Sequence, residues 1–105
     1  MDLSSIHFHD TKILKVIEDT RDDLLTMEVN YPVDWDKNEF EKRKLIFENV
    51  LNYQVNEIAF RGMPTILDAK VLQQDERRTR IRLETNAGHR DLSCSAVRLE
   101  KFENE

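Results

Sequence analysis

Apolar and polar residues alternate along several short stretches of the chain, and this two-residue period is typical of half-buried β-strands. Residues 25–31 alternate strictly, and residues 12–18 before them are rich in β-branched side chains. The polar segment at residues 19–23 has the composition of a turn. The first two strands are therefore predicted to pair as an antiparallel hairpin.

A second hairpin is predicted within residues 79–94, where two strand-like stretches flank an Asn-Ala-Gly turn. If Ala87 and Gly88 form a two-residue loop, Leu83 is expected to face Leu92 across the two strands. This register places apolar residues opposite apolar residues, and it sends the charged residues between them to the other face of the sheet.

Further stretches at residues 51–55, 65–74 and 96–102 predict additional strands. The chain has two glycines and two prolines, too few for long linkers, and a length of 105 residues corresponds to one domain. We therefore expect a single all-β domain over residues 1–105, an antiparallel sandwich or barrel of about seven to eight strands.

The stretch at residues 36–50 is compatible with two structures. Asp36 and Glu39 have the spacing of a capping box, which favours a short helix. Read as a strand, residues 43–49 instead place Leu45 and Phe47 inward and Lys44, Ile46 and Glu48 outward. We favour the strand and keep the short helix as the alternative.

The formal charge of the chain is −5, and it arises in the first half. Residues 1–52 carry 12 acidic and 7 basic side chains, whereas residues 53–105 carry 9 of each. An acidic surface disfavours nucleic-acid binding, which requires cations to neutralise phosphates. It is compatible with a basic protein partner.

The chain has one cysteine, Cys94, which cannot form an internal disulfide and is predicted to be a small core residue. No apolar run approaches membrane-spanning length, and the N-terminus lacks the pattern of a signal peptide. A cytoplasmic protein without a membrane partner or a cofactor is the expectation.

The N-terminal segment contains a His-x-His-Asp motif, formed by His7, His9 and Asp10. A metal-dependent enzyme would need further ligands, such as His89, and acid/base catalysis would need a nucleophile or a pocket. Adjacent strand residues point to opposite faces, so His9 and Asp10 are not expected to contact each other. We favour a structural corner, with no metal and no catalytic residue, in which Asp10 and Thr11 bond the backbone of a turn and His9 orients it.

Four short stretches of the chain resemble a known group of small bacterial proteins. Residues 8–14, Phe-His-Asp-Thr-Lys-Ile-Leu, are similar to the Phe-His-Asp-Ala-Glu-Val start of immunity proteins from polymorphic toxin systems and their uncharacterised relatives. Residues 45–50, 80–83 and 94–100 resemble later stretches of that group. The resemblance implies an all-β fold without known catalysis, and it suggests that the His-Asp pair belongs to the scaffold.

The best candidate for a binding surface is an acidic stretch around the single tryptophan. Tryptophan and tyrosine are favoured interface anchors, and neighbouring carboxylates would steer a basic partner. Two alternatives stay open: Trp35 could plug one end of the sandwich, or Trp35 and Tyr53 could form a platform for a small ligand or carbohydrate. The candidate partner-binding residues are Tyr31, Asp34, Trp35, Asp36 and Glu39.

Overall fold

The computed structural model describes residues 3–34, 36–59 and 61–102. These ranges form eight antiparallel strands in one sheet and contain no helix, which confirms the all-β prediction. The strands are β1 (Thr11–Asp19), β2 (Leu24–Asp34), β3 (Glu39–Glu48), β4 (Leu51–Glu57), β5 (Thr65–Gln74), β6 (Thr79–Thr85), β7 (Gly88–Cys94) and β8 (Ala96–Lys101).

The sheet has the strand order β4-β7-β6-β5-β1-β2-β3-β8. It divides into two four-stranded halves, β4-β7-β6-β5 and β1-β2-β3-β8. The halves are joined through β1 and β5, which share just two residue pairs, Thr11 with Ile66 and Lys12 with Thr65. Side chains from both halves meet in one buried cluster, as in a sandwich. The cluster contains Phe8, Ile13, Leu25, Met27, Val29, Leu45, Phe47, Ile66, Ile81, Leu83, Leu92 and Cys94.

The first predicted hairpin is confirmed, since β1 and β2 pair along most of their lengths around the polar turn. The helix alternative for residues 36–50 is wrong, because β3 occupies most of that stretch. Leu45 and Phe47 are fully buried opposite Met27 and Leu25 of β2, so the two-residue period decides the structure. The capping-box spacing falls at a hairpin turn instead.

The predicted register of the second hairpin is shifted by two residues. Residues 86–87 form the turn, so that Leu83 faces Arg90, and Leu92 faces Ile81. An even shift keeps the inward face unchanged, and the three apolar side chains are buried as expected. Arg90 shares the parity of Leu92, so it lies on the inward face in either register and now pairs with Leu83.

Gly88 explains the shifted register, because it is a strand residue at a crowded position and not a loop residue. It pairs with Thr85 on one side and with Glu57 of β4 on the other. Its φ is +148°, and a Cβ built on it would lie 2.1 Å from the main-chain oxygen of Asn56. Only glycine allows β4 to approach β7 this closely.

Candidate functional site

Strands β2 and β3 continue past the strands that flank them. The pairing of β1 with β2 ends at Asn30, and the pairing of β8 with β3 ends at Arg43. Residues 31–34 pair with residues 39–41, and no residue of 31–34 or 39–42 pairs with a described strand other than β2 and β3. We call residues 31–42 the β2–β3 arm.

The β2–β3 arm brings together most of the predicted binding residues. Asp36 and Glu39 are exposed at its tip, and Asp34 lies opposite Glu39 in the ladder. An Oδ1 atom of Asp34 accepts a hydrogen bond from the main-chain N–H of Lys37 at 3.2 Å, which closes the turn. Trp35 lies outside the described residues.

The arm also exposes apolar surface that was not predicted from the sequence. Val33 is 42% exposed and Phe40 is 36% exposed. Val33 lies where the register between β2 and β3 shifts, as in a β-bulge, and bulges re-aim side chains. No pattern in the sequence marks Phe40, because residues 39–42 are all exposed and the buried part of β3 begins only at Leu45.

Tyr31 lies at the base of the arm, apart from the carboxylates at the tip. Its ring packs against the buried cluster, and its hydroxyl accepts a hydrogen bond from the main-chain N–H of His7 at 2.8 Å. Tyr31 therefore connects the arm to the N-terminal segment.

The N-terminal motif lies in a corner before β1, and not on a strand. Asp10 has a positive φ of 67°, so its side chain turns back toward that of His9, with 3.6 Å between Nε2 of His9 and Oδ1 of Asp10. The expectation that these neighbours diverge is wrong for this reason. Nδ1 of His9 lies 2.8 Å from the main-chain oxygen of Leu67, and the Thr11 hydroxyl donates to the oxygen of His7 at 3.0 Å.

The three histidines do not form a metal centre within the described ranges. The rings of His7 and His9 lie edge to face with centroids 6.3 Å apart. His89 is on β7, opposite Asn56 and Glu84. No group of three or more His, Cys, Asp or Glu side chains that could hold a metal ion occurs among the described residues.

Replacing His9 with alanine is expected to lower the free energy of unfolding by about 1 kcal/mol, because the bond to the Leu67 oxygen is lost. His7→Ala is the control and should cost less stability, since it keeps the main-chain N–H that donates to Tyr31 and removes a ring contact that His9→Ala removes as well. Urea denaturation of both variants measures the difference. If both variants kept the wild-type stability, and both abolished zinc binding by the wild-type chain, the motif would be a metal site and not a structural corner.

Tyr53, the second residue of the carbohydrate alternative, has its ring packed against the buried cluster and its hydroxyl engaged. The hydroxyl accepts a hydrogen bond from Arg90 at 3.2 Å. Arg90 also forms two 2.9 Å hydrogen bonds to the Glu57 carboxylate, and Thr85 donates a third to that group at 3.2 Å. This polar cluster was not predicted from the sequence, although Arg90 shares strand parity with Leu92 and so signals an inward-facing charge.

The charged groups of this cluster shift each other's pKa values. The hydrogen bond from Arg90 holds the pKa of Glu57 below its usual value, and the same bond raises the pKa of Arg90. Burial raises the pKa of Tyr53. Burial likewise raises the pKa of the Cys94 thiol to about 11, so this thiol is protonated at neutral pH.

The outward face of β5, β6 and β7 carries cross-strand ion pairs. Arg82 binds the buried Asp91 through two hydrogen bonds of 2.9 Å, and Lys70 lies 3.0 Å from Glu84. The Arg82 hydrogen bond lowers the pKa of Asp91. Arg82 and Lys70 therefore neutralise carboxylates on this face, which is the arrangement expected of a solvated sheet face.

A scan against protein-family models and searches of curated proteins and of solved structures find no match to this chain. None of the described residues belongs to a helix that could cross a membrane.

Proposed function

We propose that this chain is a non-enzymatic protein-binding domain that engages a basic partner through the β2–β3 arm. The observation that carries the proposal is the residue composition of this arm, where β2 and β3 pair with each other beyond the ends of β1 and β8. The arm holds four carboxylates and two lysines, and it exposes the apolar side chains of Val33 and Phe40. An apolar anchor within a ring of charge is the arrangement of many binding surfaces.

The chemistry of the arm favours a partner with a cationic surface. Carboxylates at the tip accelerate encounter with such a surface, and the apolar side chains then slow dissociation. The resemblance to immunity proteins suggests one such partner, a toxin domain with a basic nucleic-acid-binding face. Neutralisation would consist of covering that face, and it requires no catalytic residue in this chain.

The test is a comparison of partner binding by the wild type and by an arm variant, Asp36→Asn with Glu39→Gln and Phe40→Ala. The wild-type chain first captures its partner from the source lysate, and mass spectrometry identifies it. Binding kinetics with the purified partner should then show about a thirtyfold loss of affinity or more, equivalent to about 2 kcal/mol. The loss of the two carboxylates should slow association, and this effect should become smaller at high salt.

The matched control removes one aspartate, one glutamate and one large apolar side chain from exposed positions elsewhere, through Asp22→Asn, Glu76→Gln and Leu72→Ala. It has the same net charge as the arm variant, so a general charge effect would appear in both. Equal affinity of the wild type and the arm variant, at equal folded concentration, would place the interface outside the arm.

A further inference from the structure

A small polar cleft lies on the outward face of the β4-β7-β6-β5 half of the sheet. Its volume is about 160 Å³, below the roughly 300 Å³ at which pockets for larger organic ligands begin. The lining comes from all four strands of this half and from the turn between β5 and β6. Every lining residue is polar or charged: Asn52, Gln73, Asp75, Arg78, Arg80 and Ser93.

The sheet register places Arg80 between two neutral residues. Arg80 pairs with Gln73 of β5 and with Ser93 of β7. In the next row of the same face, Arg82 lies opposite Asp91 and occupies both oxygens of that carboxylate. Arg80 is exposed, and it forms no hydrogen bond or ion pair with any residue that the structure describes. Its own row therefore supplies no counter-charge.

The second cation of the cleft, Arg78, is held in a fixed position. Its Nη1 donates to the main-chain oxygen of Asn49 at 2.7 Å and to the hydroxyl of Ser93 at 3.2 Å. Its other two guanidinium nitrogens donate to no residue within the described ranges, so a ligand can bind them. A guanidinium that is already held in place loses little conformational freedom when it binds an anion.

Two irregularities of the strands flank this pair of arginines with amide groups. Asn52 has a φ of 55° and lies where the register of β4 shifts, between Leu51 and Gln54. Gln73 directly follows the register shift of β5 that begins at Val71. Bulges re-aim side chains and are common beside functional sites. Here they bring amide N–H donors to both sides of the cleft.

The carboxylate in the lining, Asp75, is engaged in the turn. Its Oδ1 accepts hydrogen bonds from the main-chain N–H groups of Arg77 and Arg78, each at 2.8 Å. The main-chain N–H of Asp75 in turn donates to the oxygen of Arg78 at 3.0 Å. Asp75 thus fixes the backbone that carries Arg78. Two guanidinium groups and one carboxylate leave the cleft with a charge of +1, in a chain whose formal charge is −5.

We propose that this cleft binds a phosphate group, as the free ion or as a small phosphate monoester. One guanidinium satisfies both oxygens of a carboxylate, whereas a phosphate has more oxygens and a larger charge, and needs donors on several sides. The cleft offers two guanidinium groups, two amides and one hydroxyl, from four strands and a turn. Because the cleft is open to solvent, we expect a Kd of about 1 mM that rises with ionic strength.

Titration of the wild-type chain with inorganic phosphate at constant ionic strength, followed by heteronuclear NMR, tests the site. The main-chain signals of Gln73, Arg80 and Ser93 should shift and saturate. Arg80→Gln removes the cation without a counter-charge and should raise the phosphate Kd by about tenfold or more. Gln73→Glu places a carboxylate beside Arg80 and should weaken phosphate binding in the same direction. The same spectra report whether each variant is folded.

The matched control is Arg61→Gln, which changes the net charge by the same amount as each cleft variant. Arg61 is exposed and precedes the first residue of β5, whereas Gln73 lies near the last. The control should bind phosphate as the wild type does. Equal weakening by Arg61→Gln and Arg80→Gln overturns the proposal, as does a wild-type chain whose signals do not saturate. Acetate that binds as tightly as phosphate overturns it too.

Glycerol phosphate, a simple monoester, distinguishes the two sources of the phosphate group. Tighter binding of glycerol phosphate than of inorganic phosphate assigns the cleft to a monoester, and the reverse order assigns it to the free ion. A single-stranded oligonucleotide without terminal phosphates is the third ligand. If it shifted the same signals at lower concentration than either small ligand, the site would be a nucleic-acid contact and the proposal would be wrong. These variants leave the β2–β3 arm intact, so the two proposals are tested independently.

Discussion

Alanine at Gly88 is expected to lower the free energy of unfolding by about 3 kcal/mol or more, through strain at one crowded position. The added Cβ would lie 2.1 Å from the main-chain oxygen of Asn56 and 3.0 Å from Cα of Glu57. Both neighbours are backbone atoms of β4, so neither can rotate away. The residue would also have to keep a φ of +148°, which side-chain-bearing residues rarely adopt.

The other glycine of the chain is the control for this prediction. Gly62 also has a positive φ, +94°, but nothing lies within 4 Å of a Cβ built on it. Gly62→Ala therefore adds backbone strain without a clash and should cost about 1 kcal/mol. Guanidinium denaturation of both variants separates the two contributions. Equal losses would show that the close approach of β4 to Gly88 does not contribute.

Local patterns predicted strands such as β2 and β6 well, because each of these has a buried face and a more exposed face. β5 occupies the predicted stretch at residues 65–74, and the hairpin of β1 and β2 follows the alternation at residues 25–31. The part of β3 from Arg43 onward was predicted for the same reason. Its extension to Glu39 was not, because residues 39–42 are exposed and carry no burial signal.

The features that sequence reasoning missed depend on contacts between distant parts of the chain. The register of the second hairpin follows from the approach of β4 to Gly88, and β4 precedes that glycine by more than 30 residues. The position of Tyr31 follows from the N-terminal segment, whose His7 donates to its hydroxyl. The acidic tip of the arm was predictable because its carboxylates are close in sequence and a hairpin keeps them together.

Glu57→Gln is expected to lower the free energy of unfolding by about 3 kcal/mol, because it leaves the Arg90 guanidinium without its counter-charge. The side chains of Glu57 and Arg90 are only 11% and 12% exposed, so water replaces the lost interaction poorly. Urea denaturation at pH 7 measures the loss. The control is Glu48→Gln, whose partner Arg98 is 42% exposed, and which should change stability by about 0.5 kcal/mol or less.

The same pair should leave a signature in the acid denaturation of the fold. Arg90 lowers the pKa of Glu57, so the folded protein binds that proton more weakly than the unfolded chain does. The resulting stability is present above the unfolded pKa, near 4.5, and is lost as the pH falls through the lower folded pKa. The difference in unfolding free energy between the wild type and Glu57→Gln should therefore be constant near neutral pH and shrink below about pH 4.5. Asp91 and Asp75 also have lowered pKa values, but both proteins share them, so they cancel in that difference.

A double variant separates the charge from the packing of this cluster. Removing one partner of the Glu57–Arg90 pair leaves the other charge buried without a counter-charge. Replacing both residues by apolar side chains of similar size also removes the cost of desolvating the two charges. The double variant Glu57→Met with Arg90→Met should therefore have an unfolding free energy much closer to that of the wild type than Glu57→Gln has. It should also lack the part of the wild-type stability that disappears when the Glu57 carboxylate is protonated. If the double variant were as unstable as the single one, the cluster would act through specific hydrogen bonds, such as those to Thr85 and Tyr53, and not through paired charge.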